Sequence, residues 1–561
     1  MYGYPENGNS CTRLPKATLA DLFAGITCFA VMFFLPTFFA FAFFGERTAF
    51  SIGTGFGMFF SMLPVYLMTL LYVRKVKNGF SFRRLLLTLC YTAVLFSVVI
   101  HSFYFLTVVQ LALFIYLTGA LCALRSNSLT LKDDTYHYLI EELRQIFIIP
   151  VKKVFLPFRS LLKSIRFKKS KKLGGIIIGC LLSLPVLLVV GELLISGDAA
   201  FNNATTGVVR AVSDALKRIA DSLAEEDYVL HIYSGIFTAT VFSPFVFSVF
   251  FCFRHGVQKH STEAHRVLNS KAVISQSVAT GFYVMLCLLY VFYILSQLSY
   301  FFGAFSGKIP LAVNMSLSEY ARRGFFEMSA IAIINLALTA FGVIFIKRKE
   351  NGTVAPLFKG IFTFLCLFTI LLIITAISKM ALYITELGLT HKRILVCIVD
   401  LLLTVILVCI LIRLYRKNFP YMKIIVSVCL AVMSLYTLVG DSALIASFNT
   451  NAYIKGYHKD LDIDEIYYET TPLHAVKNLR KVAEDKDDVL HLVAGHEIGQ
   501  IVFHASDYLP EKRLEMSTAQ NLFASDNIND FLFWEYAKDN REFIMKHLNS
   551  FREYIDWQGE Y

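Results

Sequence analysis

Long apolar runs dominate the chain, at 19–44, 51–73, 85–124, 173–195, 229–253, 273–297, 324–346, 359–381, 394–415 and 420–440. A helix rises about 1.5 Å per residue, so about 20 apolar residues cross a hydrocarbon core of ~30 Å. Each run therefore predicts a membrane-spanning helix. The run 85–124 is 40 residues without a formal charge, broken near its middle by "HSFYF". That length predicts a helical hairpin, which brings the expected count to eleven spans and the fold class to an all-α polytopic membrane bundle.

After residue 440 the pattern changes. "TPLHAVKNLRKVAE" and "FLFWEYAKDNREFIMKHLNSFREYI" space their apolar positions three and four apart, and Thr470 and Thr471 precede Pro472 as a helix start. A mostly helical polar domain is expected there. The predicted organisation is a four-span region at 1–124, a basic amphipathic segment at 125–172, a seven-span core at 173–440 and a C-terminal domain at 441–561.

Composition agrees with a membrane protein. Of 561 residues, 56% are hydrophobic and 17% charged, against about a quarter charged in soluble domains. Ten of the eleven cysteines lie inside apolar runs, and no C-x-x-C pair occurs. Neither a disulfide framework nor a cysteine metal site is implied. Arg13 and Lys16 precede a long apolar run with no small-x-small cleavage site, which reads as an uncleaved anchor.

Charge sets the expected orientation. With the N-terminus inside, "RKVKNGFSFRR", the segment 125–172, "RHGVQKHSTEAHR", "KRKE" and "RLYRKNFPYMK" all fall inside, as the positive-inside rule requires. Arg322, Arg323 and "THKR" (390–393) fall outside. Residues 441–561 hold 12 Lys and Arg against 22 Asp and Glu, which leaves 41 against 20 for the first 440. The acidic tail is expected outside, where a protein partner is one reading of its role. The stretch 151–172 has nine Lys and Arg and no acid, interleaved with apolar residues. It is expected on anionic inner-leaflet lipid, not on nucleic acid, because the adjoining span places it at the bilayer.

The polar exceptions converge in position. Glu319, Arg323 and Glu327 stand four apart where the eighth expected span enters, with Arg322 beside them and Asn335 two turns deeper. Lys379, Tyr383 and Glu386 share a face at the end of the ninth. Arg393 and Asp400 share one at the start of the tenth, Asp400 about 10 Å in. An ionisable group at mid-bilayer costs ~2.5–3.5 kcal/mol, so such groups pair or line a wet cavity. Two readings stay open: an outward pocket for an anionic or zwitterionic ligand built from Arg322, Arg323, Glu327, Asn335, Lys379, Glu386, Arg393 and Asp400, or ion pairs that lock three helices together.

Other motifs carry less. "HLVAGHEIGQ" has Gln500 where a zinc helix needs its second histidine, so a solvent-exposed helix face is expected there. His255, His260 and His265 recur every five residues and do not converge. "GTGFG" (53–57) lies within a span and reads as close helix packing. No cofactor or metal is indicated.

"QLSYFFGAF" (297–305), "SEYARRGFFEM" (318–328), "YITELGLTHKR" (383–393), "DSALIASFN" (441–449) and "LDIDEIYYETTPLHAV" (461–476) together resemble the successive signatures of one bacterial polytopic membrane family, that of domain of unknown function 4173, related to 4153. The resemblance covers about 270–480. It implies a membrane location and no known activity, and it marks the same outer-face positions as the charge pattern. Three functions remain: a carrier with an outward pocket around Arg323, Glu327, Arg393 and Asp400; a sensor or scaffold using the tail; or an enzyme acting on lipid-linked substrates through an acid such as Glu327. No nucleophile–base arrangement supports the third.

Overall fold

The computed structural model describes residues 17–44, 54–73, 81–101, 104–126, 136–164, 226–257, 276–305, 317–345, 356–416, 419–455, 470–484, 488–505, 510–518, 520–521, 525 and 527–558. Every regular element among them is helical. That is the outcome physics favours for such a chain, since backbone groups in hydrocarbon must be satisfied within the segment itself. The expected span 173–195, the connector 196–225 and the end of the basic segment, 165–172, lie outside the described residues. The chain divides into two compact units, Met1–Thr130 with Ile140–Ser261, and Leu131–Leu139 with Thr262–Tyr561.

The first unit contains α1 (Leu19–Phe44), α2 (Thr54–Leu67), α3 (Phe82–Ile100), α4 (Tyr104–Ser126), the last four residues of α5 (Tyr136–Leu143), α6 (Leu156–Ser164) and α7 (Glu226–Arg254). A π-helical turn, Met68–Tyr72, continues α2. α1 runs along α7, and Gly235 allows the approach: a Cβ there would stand 2.6 Å from the Phe33 carbonyl oxygen. The 85–124 run folds as the hairpin α3–α4. His101 leaves the helix in extended conformation, and the Gln110 amide donates to its carbonyl at 3.2 Å. The Tyr91 hydroxyl joins three helices, 2.8 Å from Thr118 Oγ1 and 3.4 Å from Thr69 Oγ1.

The second unit contains five long helices, α8 (Gln276–Phe305), α9 (Leu317–Phe345), α10 (Pro356–Leu387), α11 (His391–Tyr415) and α12 (Tyr421–Val439). The tail follows as α13 (Ser442–Ile454), α14 (Pro472–Ala483), α15 (Asp488–His504), α16 (Pro510–Glu515), α17 (Ile528–Asp539) and α18 (Arg541–Gln558). α10 is the hub, packed on α8, α9 and α11. Between α8 and α10, Tyr290 stacks on Phe368 at 4.3 Å. Gly342 of α9 leaves room for Tyr283 and Phe362, each 2.6 Å from where its Cβ would lie.

Among the described residues, nine helices are long and apolar enough to cross a membrane: α2 with its π turn, α3, α4 and α7 to α12. α1 adds a shorter apolar stretch, Leu19–Phe33.

The tail builds its own core. Ala446, Val476, Ile498, Phe533, Trp534 and Leu548 are all buried in one cluster whose members among the described residues run from Ala446 to Leu548. The face of "HLVAGHEIGQ" expected to meet solvent is in fact a packing face. Glu497 is buried, and Gly495 and Gly499 lie against α18, where their Cβ atoms would fall 2.6 Å from His547 Nδ1 and 2.5 Å from the His547 carbonyl oxygen. Two glycines one turn apart let α15 and α18 approach more closely than any other residue would permit.

Candidate functional site

The turn between α10 and α11 organises the charged motifs of the second unit. Gly388 has φ +75°, a conformation glycine adopts without strain, and it ends α10. Asn449 of α13 clasps the next residue from both sides: its Oδ1 accepts from the Leu389 N–H at 2.7 Å, and its Nδ2 donates to the Leu389 carbonyl at 3.0 Å. Thr390 then caps α11, its hydroxyl accepting from the Arg393 N–H.

Arg393 is spent on this turn. Its guanidinium donates to the Leu387 carbonyl at 2.7 Å and to the Gly388 carbonyl, and lies 4.4 Å over the Tyr383 ring. The last carbonyls of a helix have no partner within it and carry its negative dipole end, so a cation there satisfies both.

Two residues earlier, His391 lies buried with its Nδ1 2.5 Å from Asp441 Oδ1, and the Tyr436 hydroxyl donates to Asp441 Oδ2 at 2.7 Å. An ionised carboxylate only accepts, so the imidazole carries its proton on Nδ1. The pair has a base-and-orienter geometry, and the Tyr436 hydroxyl occupies the other oxygen of the same carboxylate. Gly440, with φ +68°, turns the chain from α12 into this cluster.

The other residues expected at the site are distributed differently. Arg323 and Glu327 pair at 2.9 Å on an exposed face of α9, with Arg322 also exposed. Glu386 is exposed on the last turn of α10. Asn335 is fully buried and fixed: the Tyr290 hydroxyl donates to its Oδ1, and its Nδ2 donates to Thr369 Oγ1 at 3.1 Å, which ties α8, α9 and α10.

Lys379 is buried against α9 where Gly324 has no side chain, so that a Cβ on Gly324 would collide with its ammonium. The charge of Glu327 reaches it. Asp400 is 2% exposed and accepts from Ser329 Oγ at 3.3 Å. Lys379 and Asp400 thus flank one core, that of Phe325, Met328, Ala376 and Met380 with Val396 and Cys397 packed on it. Within the group of eight, Arg323 pairs with Glu327, whose charge reaches Lys379, while Arg393 faces the α10 carbonyls and Asn335 is held by Tyr290 and Thr369.

Several residues of weight escaped the sequence reading. His391, Tyr436, Asp441 and Asn449 build the joint between α11 and the tail, and the signal for two of them was already present in the "DSALIASFN" motif. In the first unit, Asp21 is fully buried at the start of α1. It accepts from the Thr18 N–H at 2.5 Å and from the Tyr72 hydroxyl, lies 3.1 Å from His255 Nε2 and 3.4 Å from Arg254 Nε. The spacing of Thr18 and Asp21 is that of a capping box. Among the described residues, no group of three His, Cys, Asp or Glu side chains comes together as a metal site requires.

The family described as Domain of unknown function (DUF4153) matches residues 85–470. The chain belongs to this family. No curated protein and no solved structure matches it. The DUF4153 match begins in α3 and ends two residues before α14, so it contains the Gly388 turn, the buried pair and α13. The helices α14 to α18, which supply most of the tail core, follow it.

Proposed function

We propose that this DUF4153 protein is a multi-pass membrane scaffold whose spanning helices are coupled to a C-terminal domain that meets a protein partner. The observation that carries the reading is the double attachment of α13. Asp441 and Asn449 fasten it to the α10–α11 turn, while Ala446 on the same helix is buried in the tail core. A helix shared by two bodies in this way passes a displacement of one to the other.

The surrounding proposals follow from charge. The domain boundary falls at 441, where the net charge changes sign, and the tail lies outside with the N-terminus inside a bacterial cytoplasmic membrane. Within the family relationship, the five motifs favour the 4173 group.

Photo-crosslinking from exposed positions of α18 in intact cells tests the coupling, with wild type beside Asn449→Ala. The tail core keeps every side chain in that variant, so a partner adduct that disappears while the tail stays folded supports the scaffold. An adduct of unchanged yield sinks it.

A carrier remains the second reading, favoured by one feature. Asp400 and Lys379 are buried ionisable groups in the wall of the α9–α10–α11 core, and intramembrane ionisable groups mark ligand and proton paths. Of the eight residues first grouped, these two are retained as the pocket candidates. Native mass spectrometry from nanodiscs decides: a small molecule held by wild type and lost from folded Asp400→Asn supports a carrier, and identical spectra remove it.

A further inference from the structure

Between Ile140 and Leu162 the first unit leaves one side of a helical segment uncovered. Ile140, Leu143, Phe147, Val151 and Phe155 are 38–65% exposed, and Phe158 and Leu162 continue the series. Successive members are three or four residues apart, so within each helical stretch they share a face, and the series crosses a turn at 153–155. It passes through the π turn Arg144–Ile148, the short helix Ile149–Lys152 and α6.

The opposite side is seated on two spanning helices. Ile146 fills the space left by Gly119 of α4, where a Cβ would lie 2.5 Å from its Cγ2. Ser248 of α7 donates to the Pro150 carbonyl at 2.9 Å, and at the edge of the stripe the half-exposed Phe158 meets Phe247 edge-on at 6.0 Å. The acids turn inward: Glu142 is fully buried, with the Tyr116 hydroxyl at 3.0 Å and Arg83 at 3.6 Å.

The outward side carries cations among the apolar residues. Residues 144–164 contain five bases and no acid, and Lys152, Lys153, Arg159 and Lys163 are exposed. Water alone would leave seven large apolar side chains hydrated. A covering protein helix would have to bury four cations. A leaflet with anionic headgroups accommodates both, with the apolar stripe at the acyl boundary and the lysines and arginine at phosphate level.

We propose that Ile140–Leu162 is an interfacial anchor, clamped to α4 and α7, that binds anionic phospholipid headgroups through Lys152, Lys153, Arg159 and Lys163. The leaflet is the cytoplasmic one in the orientation proposed above. This inference is independent of the scaffold reading, and it extends the lipid contact beyond the basic stretch to a stripe beginning at Ile140.

Full-length protein in nanodiscs tests it. Phe147→Trp and Phe155→Trp are each made, with Phe292→Trp on the exposed face of α8 as the lipid-facing control. Brominated acyl chains are expected to quench both probes about as strongly as the control. Native mass spectrometry then counts retained phosphatidylglycerol against phosphatidylcholine. Lys153→Gln is expected to lower that preference about fivefold, and neutralising all four cations to abolish it. Probes that escape quenching while the control is quenched would show that protein or water covers the stripe, which overturns the proposal. Quenching with a headgroup preference indifferent to the four cations overturns the anionic-lipid assignment.

Discussion

The surroundings of Asp441 and Asp400 differ although both aspartates are nearly fully buried in the second unit. Asp441 stands at the end of the spanning bundle with His391 on one oxygen and Tyr436 on the other. Asp400 stands along α11 with Ser329 at 3.3 Å, near the outer limit for a hydrogen bond. A buried carboxylate saturated with donors holds elements in place, and removing it strands its partners. One that is thinly supported contributes little to the fold and retains the capacity to change charge or take a ligand. The first pattern indicates a joint, the second a candidate site.

The largest effect separating the two is expected from Asp441→Ala. It leaves the His391 N–H and the Tyr436 hydroxyl buried without their acceptor and loosens the start of α13, a loss of about 3–5 kcal/mol by analogy with broken buried pairs. Both tryptophans, Trp534 and Trp557, lie in the tail, so thermal unfolding in detergent followed by their fluorescence reports the joint directly. Asp441→Asn keeps the shape and an acceptor oxygen and should lose less. If Asp441→Ala melts with the wild type, the joint is not what holds the tail.

Asp400→Asn is expected to do the opposite. With the charge removed and one donor kept, stability in the same assay should change by less than about 1 kcal/mol, and an increase is as acceptable as a decrease. A loss comparable to that of Asp441→Ala would make Asp400 a second lock and end its candidacy as a ligand group.

Why the sequence revealed the bundle and not this contrast is a matter of what each depends on. Spans depend on length and apolarity, which are local, and the 40-residue length of 85–124 with its "HSFYF" break already marked the α3–α4 hairpin. The position of Asp400 along its helix was legible for the same reason. Its distance from Arg393 in space was not. Seven residues place the two on one helix face, but the guanidinium turns back to the α10 carbonyls because Gly388 has brought them within reach. Asp441 looked like the first acid of a solvated tail, since nothing local indicates that Gly440 turns it onto His391. Glu497 likewise looked exposed until Gly495 and Gly499 were seen to seat α15 on α18. In each case a positive φ or a missing Cβ decides which groups meet.

The smallest effect calibrates the comparison from the solvent side. Glu511 accepts both ends of the Arg552 fork, Nη2 at 3.1 Å and Nη1, and this hydrogen bonding holds its carboxyl below the usual glutamate range. Glu535 is lowered in the same way, first by Lys538 at 2.7 Å and then by Asn521 at 2.9 Å. A carboxylate whose folded pKa lies below its unfolded value of about 4.3 stabilises the fold above that pH and loses the contribution as pH falls through the folded value. The tail should therefore weaken below about pH 4.3, and Glu511→Gln should remove part of that slope while costing under about 1 kcal/mol at neutral pH, because the pair is partly hydrated and screened. Hydrogen exchange of α16 and α18 across that pH range measures it. A cost at neutral pH as large as that of Asp441→Ala would mean that burial does not separate joints from surface pairs in this protein, and the contrast between Asp441 and Asp400 would then rest on donor number alone.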